Sequence, residues 1–467
     1  MDAPKLKPLW STAIDGLSGT PVIVNGIVYV AGAYSINAVN ETTGKLIWSD
    51  SPTTGLAKGA FSTASGVTID RGSVFAGTSN NTLVSLNAKT GALQWTTNIL
   101  QNITGSTISQ YQGAQATPLV YDGKVIVGET VGSYGARGVL QAFSETNGRL
   151  LWSFFTVPPN PINATNQGPW GNSWGTNGTT GCSCSGGDVW GVPAVDPSTG
   201  IIYFGTGNPF PWGIKATSAR TPGYPNTNDV NLCTDCIIAL NSATGKLVWY
   251  YQAVPSDQYD YDVGMPVQLF TTKINGIQTE VVGAGGKIGD YWLLNARTGA
   301  LIWQVEVSLQ LNDRAPAGSV PSSEIYPSGH GGITSFSTYD PFFNLIYTMG
   351  YNEPSSCALT PTCPQDVNST LDAIDASTGA VVWQVSMQGL GGGASSTNEL
   401  VFTSDGNHHF YALNGLNGKV VWEYTDPSGG NAGTPWWSWG PPSFTNGKMF
   451  VTTMGMGGNG FLEAYTT

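Results

Sequence analysis

The chain has 467 residues, of which 10% are charged, with 18 Lys+Arg against 30 Asp+Glu and a formal net charge of −12. An ordinary globular domain carries about 25% charged residues, and so low a basic content, with no Lys/Arg cluster, argues against nucleic acid or an anionic membrane as partner. A hydrophobic fraction of 40%, with 16 Trp, 19 Tyr and 16 Phe, excludes disorder, while 62 Gly and 28 Pro imply many tight turns, favour an all-β chain and exclude a helical bundle.

The N-terminus, MDAPKLKPLW, has no apolar signal core, so an export signal has been removed or was never there. The longest apolar stretch, VIVNGIVYVAGA from Val22, is interrupted by Asn25 and Gly26 and predicts a hairpin rather than a membrane span. Seven segments of one length then recur, from INAVNETTGKLIW through LVSLNAKTGALQW to FYALNGLNGKVVW, and close on Trp48, Trp95, Trp152, Trp249, Trp303, Trp383 and Trp422. Each has an apolar strand, an Asn, Asp or Ser that caps a turn, a Gly at the φ > 0 position, and a second strand. An eighth copy is split between FLEAYT, from Phe461, and PKLKPLW, ending at Trp10. Further hairpins start at Pro21, Pro118, Pro193 and Pro442, so each unit has four strands. The prediction is a single eight-bladed β-propeller over 1–467, its ring closed by N- and C-terminal strands that share one blade. The repeated Trp reads as an inter-blade packing element.

In an up-and-down blade the strand order places every long connection on one face. Insertions are expected there at about 153–192, 209–235, 304–335 and 352–370. The six Cys fall in these segments as Cys182/Cys184, Cys233/Cys236 and Cys357/Cys363, and predict disulfides formed in an oxidising compartment, with the pairing open. A CxxC at Cys233 is a zinc half-site with no second half at the right spacing. Low charge, many Ser/Thr/Asn and paired Cys favour an extracellular or periplasmic protein. On the elaborated face, Trp190 precedes one A strand and Asn208 follows a B strand; Asp257, Asp260 and Asp262 precede the next A strand, and Lys287 follows its B strand. Two Asp two residues apart in so charge-poor a chain fit oxygen ligation of a hard cation such as Ca²⁺, with the Asn208 amide as a further ligand. The competing reading is solvated loop carboxylates and an Asn-Pro turn. His330, His408 and His409 are too few and too scattered for a His-rich metal site.

The Thr-Gly…Trp repeat resembles the tryptophan-docking motif of the quinoprotein (pyrroloquinoline quinone, PQQ-dependent) alcohol dehydrogenases. The block DVWG, TGIIYFGTGNPFPW, WYYQ with the following YDYD, and GGKIG resembles that family's active-site sequence in order and spacing. The resemblance implies that Trp190 stacks on the quinone plane, Lys287 meets its carbonyl oxygens and Arg137 also contacts the cofactor. It makes Asn208 a metal ligand and Asp260 both metal ligand and catalytic base. Asp262 matches the extra aspartate of lanthanide-using members. The implied cofactors are PQQ and a Ca²⁺ or lanthanide ion, and the implied partners a small alcohol or sugar and an electron acceptor; self-association is left open. This chain departs from the family where VGSYGARG has Ser133 in place of the metal's glutamate, with Glu129 the substitute carboxylate four residues earlier. It also lacks the adjacent-cysteine pair, and HGGITSF puts Ile333 and Thr334 where the family has polar and aromatic residues. These departures favour a second reading, a cofactor-less propeller acting as an extracellular structural or interaction protein. The five matched positions favour the enzyme.

Overall fold

The Asx-capped turn is the local unit from which the fold is assembled. In the computed structural model, which describes residues 5–15, 19–32, 35–50, 66–78, 81–99, 116–129, 137–159, 170, 173, 185–210, 231–255, 257–315, 319–357, 367–406, 409–425, 440–454 and 459–467, Asn40 Oδ1 accepts hydrogen bonds from the amides of Thr42 and Thr43 at 3.1 and 2.9 Å. Asn87, Asn241, Asn295 and Asp375 make the same pair of bonds in their own turns. The A–B turns are made differently: Asn25 and Gly26 both take positive φ, 51° and 79°, the two-residue geometry whose twist matches paired strands.

Among the described residues these hairpins combine into eight four-stranded antiparallel sheets and one two-stranded sheet. Blades 1 to 7 span 22–50, 68–98, 119–155, 194–252, 268–306, 338–388 and 395–425. Blade 8 takes three strands from 443–466 and its fourth, Lys7–Asp15, from the other end of the chain. Ser11 lies opposite Glu463 and Ile14 opposite Gly460, so the ring is closed as expected from the split repeat. Between blades 8 and 1, Lys448 Nζ reaches Glu41 Oε1 at 2.8 Å, and Ser443 Oγ donates to the carbonyl of Pro21 at 2.6 Å. Among the described residues no helix is long and apolar enough to cross a membrane.

Each repeated Trp docks on the following blade. Trp48 Nε1 donates to the carbonyl of Ala88 at 2.9 Å, and the same bond joins Trp95 to Glu145, Trp152 to Ser242, Trp249 to Ala296 and Trp383 to Gly415. Trp422, the last of the seven, finds the carbonyl of Leu6 and so ties blade 7 to the ring-closing strand. The turn glycine lies under the ring: a Cβ on Gly299 would stand 2.7 Å from Trp249 Cδ2. A register slip precedes every docked indole. Ala38 pairs with Trp48 and Val39 with Leu46, leaving Ile47 unopposed, and the slip recurs in all eight blades. Such a bulge re-aims the side chain beside it.

The cysteines partly correct the sequence expectation. Cys233 and Cys236 are free thiols rather than a disulfide. They lie in the core cluster with Val189, Phe204 and Ile238, where a reduced cysteine packs as a small apolar side chain. Burial pushes the Cys233 thiol up to about 12. Cys357 is disulfide-bonded, and Cys182, Cys184 and Cys363 fall outside the described residues.

Candidate active site

Strand two of blade 4, Ile201–Gly205, runs into Thr206-Gly207-Asn208, which is laced on both sides. Gly207 donates to Asp188 O and Gly187 to Asn208 O, both at 2.8 Å, while Asp235 and Val263 donate to Gly207 O and Thr206 O at 3.0 and 3.1 Å. A Cβ on Gly207 would stand 3.0 Å from Asp262 Oδ1, so glycine lets this backbone approach a carboxylate. The Asn208 amide donates to that same oxygen at 2.6 Å, and the Asn208 side-chain amide donates to Pro209 O at 2.9 Å.

Strand two of blade 5, Ile277–Gly285, leads to Lys287, whose amide donates to Asp262 O at 2.9 Å. The Lys287 ammonium spans two carboxylates, 3.2 Å from Asp260 Oδ2 and 2.6 Å from Asp262 Oδ2. Asp260 is held in the left-handed region at φ 70°. Asp257 fixes the loop that presents it, accepting from the amides of Tyr259 and Tyr261 at 2.8 and 2.7 Å. Trp190 packs its indole against Gly264, where no Cβ would fit, and its ring centroid is 5.9 Å from Lys287 Nζ. Trp190, Asn208, Asp260, Asp262 and Lys287 therefore meet at one place.

These acids are not solvated loop carboxylates: Asp257 and Asp262 are 7% and 6% exposed. Burial pushes Asp260 above the usual carboxylate range, with Lys287 opposing. Asp257 is pushed up to about 6 by burial, against its two amide donors. For Lys287 burial disfavours the charge, but the adjoining Asp260 and Asp262 outweigh it and hold the amine above its ordinary value. Asp235, fully buried, is also raised, by burial first and then by Asp257, Asp262 and Asp260.

The remaining predicted residues lie around this centre. Glu129 is buried where blade 3 ends its second strand, and its carbonyl accepts from Val189, the neighbour of Trp190, at 2.9 Å. Arg137 is turned to a structural partner: Nη2 donates to Val157 O at 2.8 Å and the guanidinium lies 4.0 Å over the Phe155 ring. Burial lowers it to about 10, still charged at neutral pH. Ile333 is a core residue against Gly285. Ser133 falls outside the described residues. Two residues not singled out from sequence belong here. Asp235 sits beside Gly207, and His330 is lowered by burial and then by the charge of Lys287. Asp235 lies inside the CxxC at Cys233 and His330 opens the HGGITSF stretch, but neither stretch gave them a role; only their placement in the fold does.

The residue types at this centre are hard, oxygen-bearing ones. Asp235, Asp257, Asp260 and Asp262 act electrostatically on one another around Lys287, and both oxygens of the buried Asp235 lack a hydrogen-bond partner. Oxygen ligands with surplus negative charge suit Ca²⁺ or a trivalent ion, and the Trp190 indole beside an ammonium suits a planar anionic ligand. As the side chains stand, Lys287 spans the Asp260–Asp262 pair, and among the described residues no three His, Cys, Asp or Glu side chains gather closely enough to hold an ion.

A Trp-docked eight-bladed ring with a lysine between a half-buried and a buried aspartate beside a tryptophan defines a quinoprotein-type propeller. Residues 11–330 match the glucose/ethanol/alcohol dehydrogenase β-propeller domain, and the chain belongs to that PQQ-dependent family. Residues 367–466 match the family model of the outer membrane protein assembly factor BamB. The dehydrogenase subunit of the quinone alcohol dehydrogenase of Gluconobacter oxydans (strain 621H) is 34% identical over 314 residues, covering 64% of this chain and 40% of that protein. Quinohemoprotein alcohol dehydrogenase ADH IIB of Pseudomonas putida is 27% identical over 487 residues, 92% of this chain and 67% of its own length. The chain thus spans about two-fifths of the first relative. Quinohemoprotein alcohol dehydrogenase from Comamonas testosteroni has the same fold, with a TM-score of 0.81 at 23% identity over 99% of this chain and 77% of that one. A europium-containing methanol dehydrogenase superposes with a TM-score of 0.76 at 19% identity, over 99% of this chain and 94% of the other.

Proposed function

We propose that this protein is an exported quinoprotein dehydrogenase that oxidises an alcohol or sugar with PQQ and a Ca²⁺ or lanthanide ion, passing electrons to a separate acceptor. The observation that carries the reading is the Asp260–Lys287–Asp262 array beside Trp190, with Asp262 buried and the other two half-buried. Family membership and relatives named as quinone-dependent alcohol dehydrogenases support it. When bound, PQQ supplies a two-electron acceptor for hydride and the ion a Lewis acid that polarises the quinone carbonyl.

The chain's own residues have distinct tasks. Trp190 gives the cofactor an aromatic surface. Asp260, Asp262 and the Asn208 amide oxygen would supply hard donors to the ion, with the buried Glu129 as the further carboxylate. Lys287, kept cationic by its carboxylate neighbours, would donate hydrogen bonds to the cofactor. Arg137 would contact the cofactor, as the family resemblance implies, from a guanidinium held by Val157 O and the Phe155 ring. Asp260 would take the hydroxyl proton of the alcohol, the role the family resemblance gives it, with Lys287 beside it at 3.2 Å. The low charge of the chain fits an extracellular or periplasmic location.

Reconstitution tests the reading. Purified protein given PQQ with Ca²⁺ or La³⁺ is expected to show a quinone absorbance band and alcohol-dependent dye reduction, and Asp260→Asn to lose turnover while keeping its circular dichroism and melting curve. Absence of both band and turnover with every ion leaves the cofactor-less scaffold as the reading, in which Lys287 serves only to neutralise the aspartate pair.

A further inference from the structure

Asp262 ties the corners of blades 4 and 5 together. Its carboxylate is buried and donors reach it from two sides: the Asn208 amide meets Oδ1 at 2.6 Å and the Lys287 ammonium meets Oδ2 at 2.6 Å. The backbone repeats the tie, since Val263 donates to Thr206 O at 3.1 Å and Lys287 donates to Asp262 O at 2.9 Å. Two converging donors need two acceptors. A carboxylate supplies both, whereas the isosteric Asn amide has one oxygen and one NH₂, so in either orientation a donor faces a donor. The ammonium stands closer to Asp262 than to Asp260, at 2.6 against 3.2 Å. The same short segment also seats the aromatic surface: Gly264, two residues on, lies against the Trp190 indole, whose ring centroid is 5.9 Å from Lys287 Nζ.

We infer that Asp262 is a positioning residue for the cofactor: it pins the Lys287 ammonium beside Trp190 and so sets where that ammonium meets a planar anionic ligand. The inference rests on the PQQ-binding part of the proposed function and deepens it. The bracket is made entirely of this chain's own groups, so the task is separate from ligating an ion. A lysine stem has many rotamers, and an ammonium pinned in advance loses less freedom when the ligand arrives.

The test uses the full chain, equilibrium dialysis of PQQ with Ca²⁺ present, and crystal structures of the variants. Asp262→Asn is expected to weaken PQQ binding by roughly tenfold or more, the scale of one charge-assisted hydrogen bond, with Lys287 Nζ displaced from its wild-type place. In a Lys287→Gln background the same substitution is expected to cost much less, because the ammonium it acts through is gone. A loss of equal size in both backgrounds, which an ion ligand or a general fold defect gives, overturns the inference alone. So does a folded Asp262→Asn whose Lys287 Nζ has not moved, and that position decides the matter if Lys287→Gln binds too little PQQ to measure. Asp262→Ser repeats both measurements if the Asn variant does not fold; failure of both to fold assigns Asp262 to folding and overturns the inference. Wild-type protein that binds no PQQ overturns it together with the proposed function.

Discussion

Asp372 shows how single residues in this ring respond to their surroundings. It lies inside blade 6, accepts from Gln384 Nε2 at 2.6 Å, and is pushed up to about 7 by burial, against that hydrogen bond and one from Thr370. The folded state therefore holds a proton that the unfolded chain releases near pH 4. Stability contributed by that proton is complete below about pH 4 and is lost as pH rises to about 7, by up to about 4 kcal/mol for a shift of this size. Asp372→Asn is expected to match wild type at about pH 4 and to exceed it by about 1–3 kcal/mol at pH 8 in urea denaturation. Nothing in the sequence around Asp372 signals this, because the strand pattern places the residue on a buried face but not the polarity of that face. Asp260 was legible as a functional acid from its motif, yet its φ of 70° and its pairing with Lys287 are set by the loop that Asp257 fixes.

The hairpin that ends in a docked tryptophan is the element on which stability turns. Trp249 and Gly299 form one such unit across blades 4 and 5. Trp249→Ala is expected to cost about 3–5 kcal/mol through lost burial and a cavity. Gly299→Ala meets both a φ of 71° and the indole itself, and should cost about 2–4 kcal/mol. The double variant should be less damaging than the sum, since removing the indole relieves the clash, and a double-mutant cycle by denaturant titration measures the coupling. The repeat was legible because turn capping, the glycine and the closing Trp are all local in sequence. The bulge before each Trp was not, because a register slip exists only between two paired strands.

At the scale of the whole molecule, closure depends on one strand. Removing residues 1–15 would expose the edge of Asn459–Thr466, delete Trp10 and take away the Leu6 carbonyl on which Trp422 docks. The truncated chain is expected to lose its single cooperative melt and to elute as oligomers or aggregate in size-exclusion chromatography, as an unpaired edge seeks another strand. Ring closure also brings distant segments together: Asn208 and Asp262 are 54 residues apart yet share a hydrogen bond. The sequence by itself determined the eight hairpin units, the split blade and the residue types at the mouth, since short-range turn chemistry and strand alternation carry that information. Only the tertiary structure decided that Lys287 lies between Asp260 and Asp262, that Cys233 and Cys236 are core thiols, and that Asp235 is fully buried with its amide on Gly207 O. Burial and charge at those positions arise from segments far apart in the chain, and no local pattern encodes the distance between them.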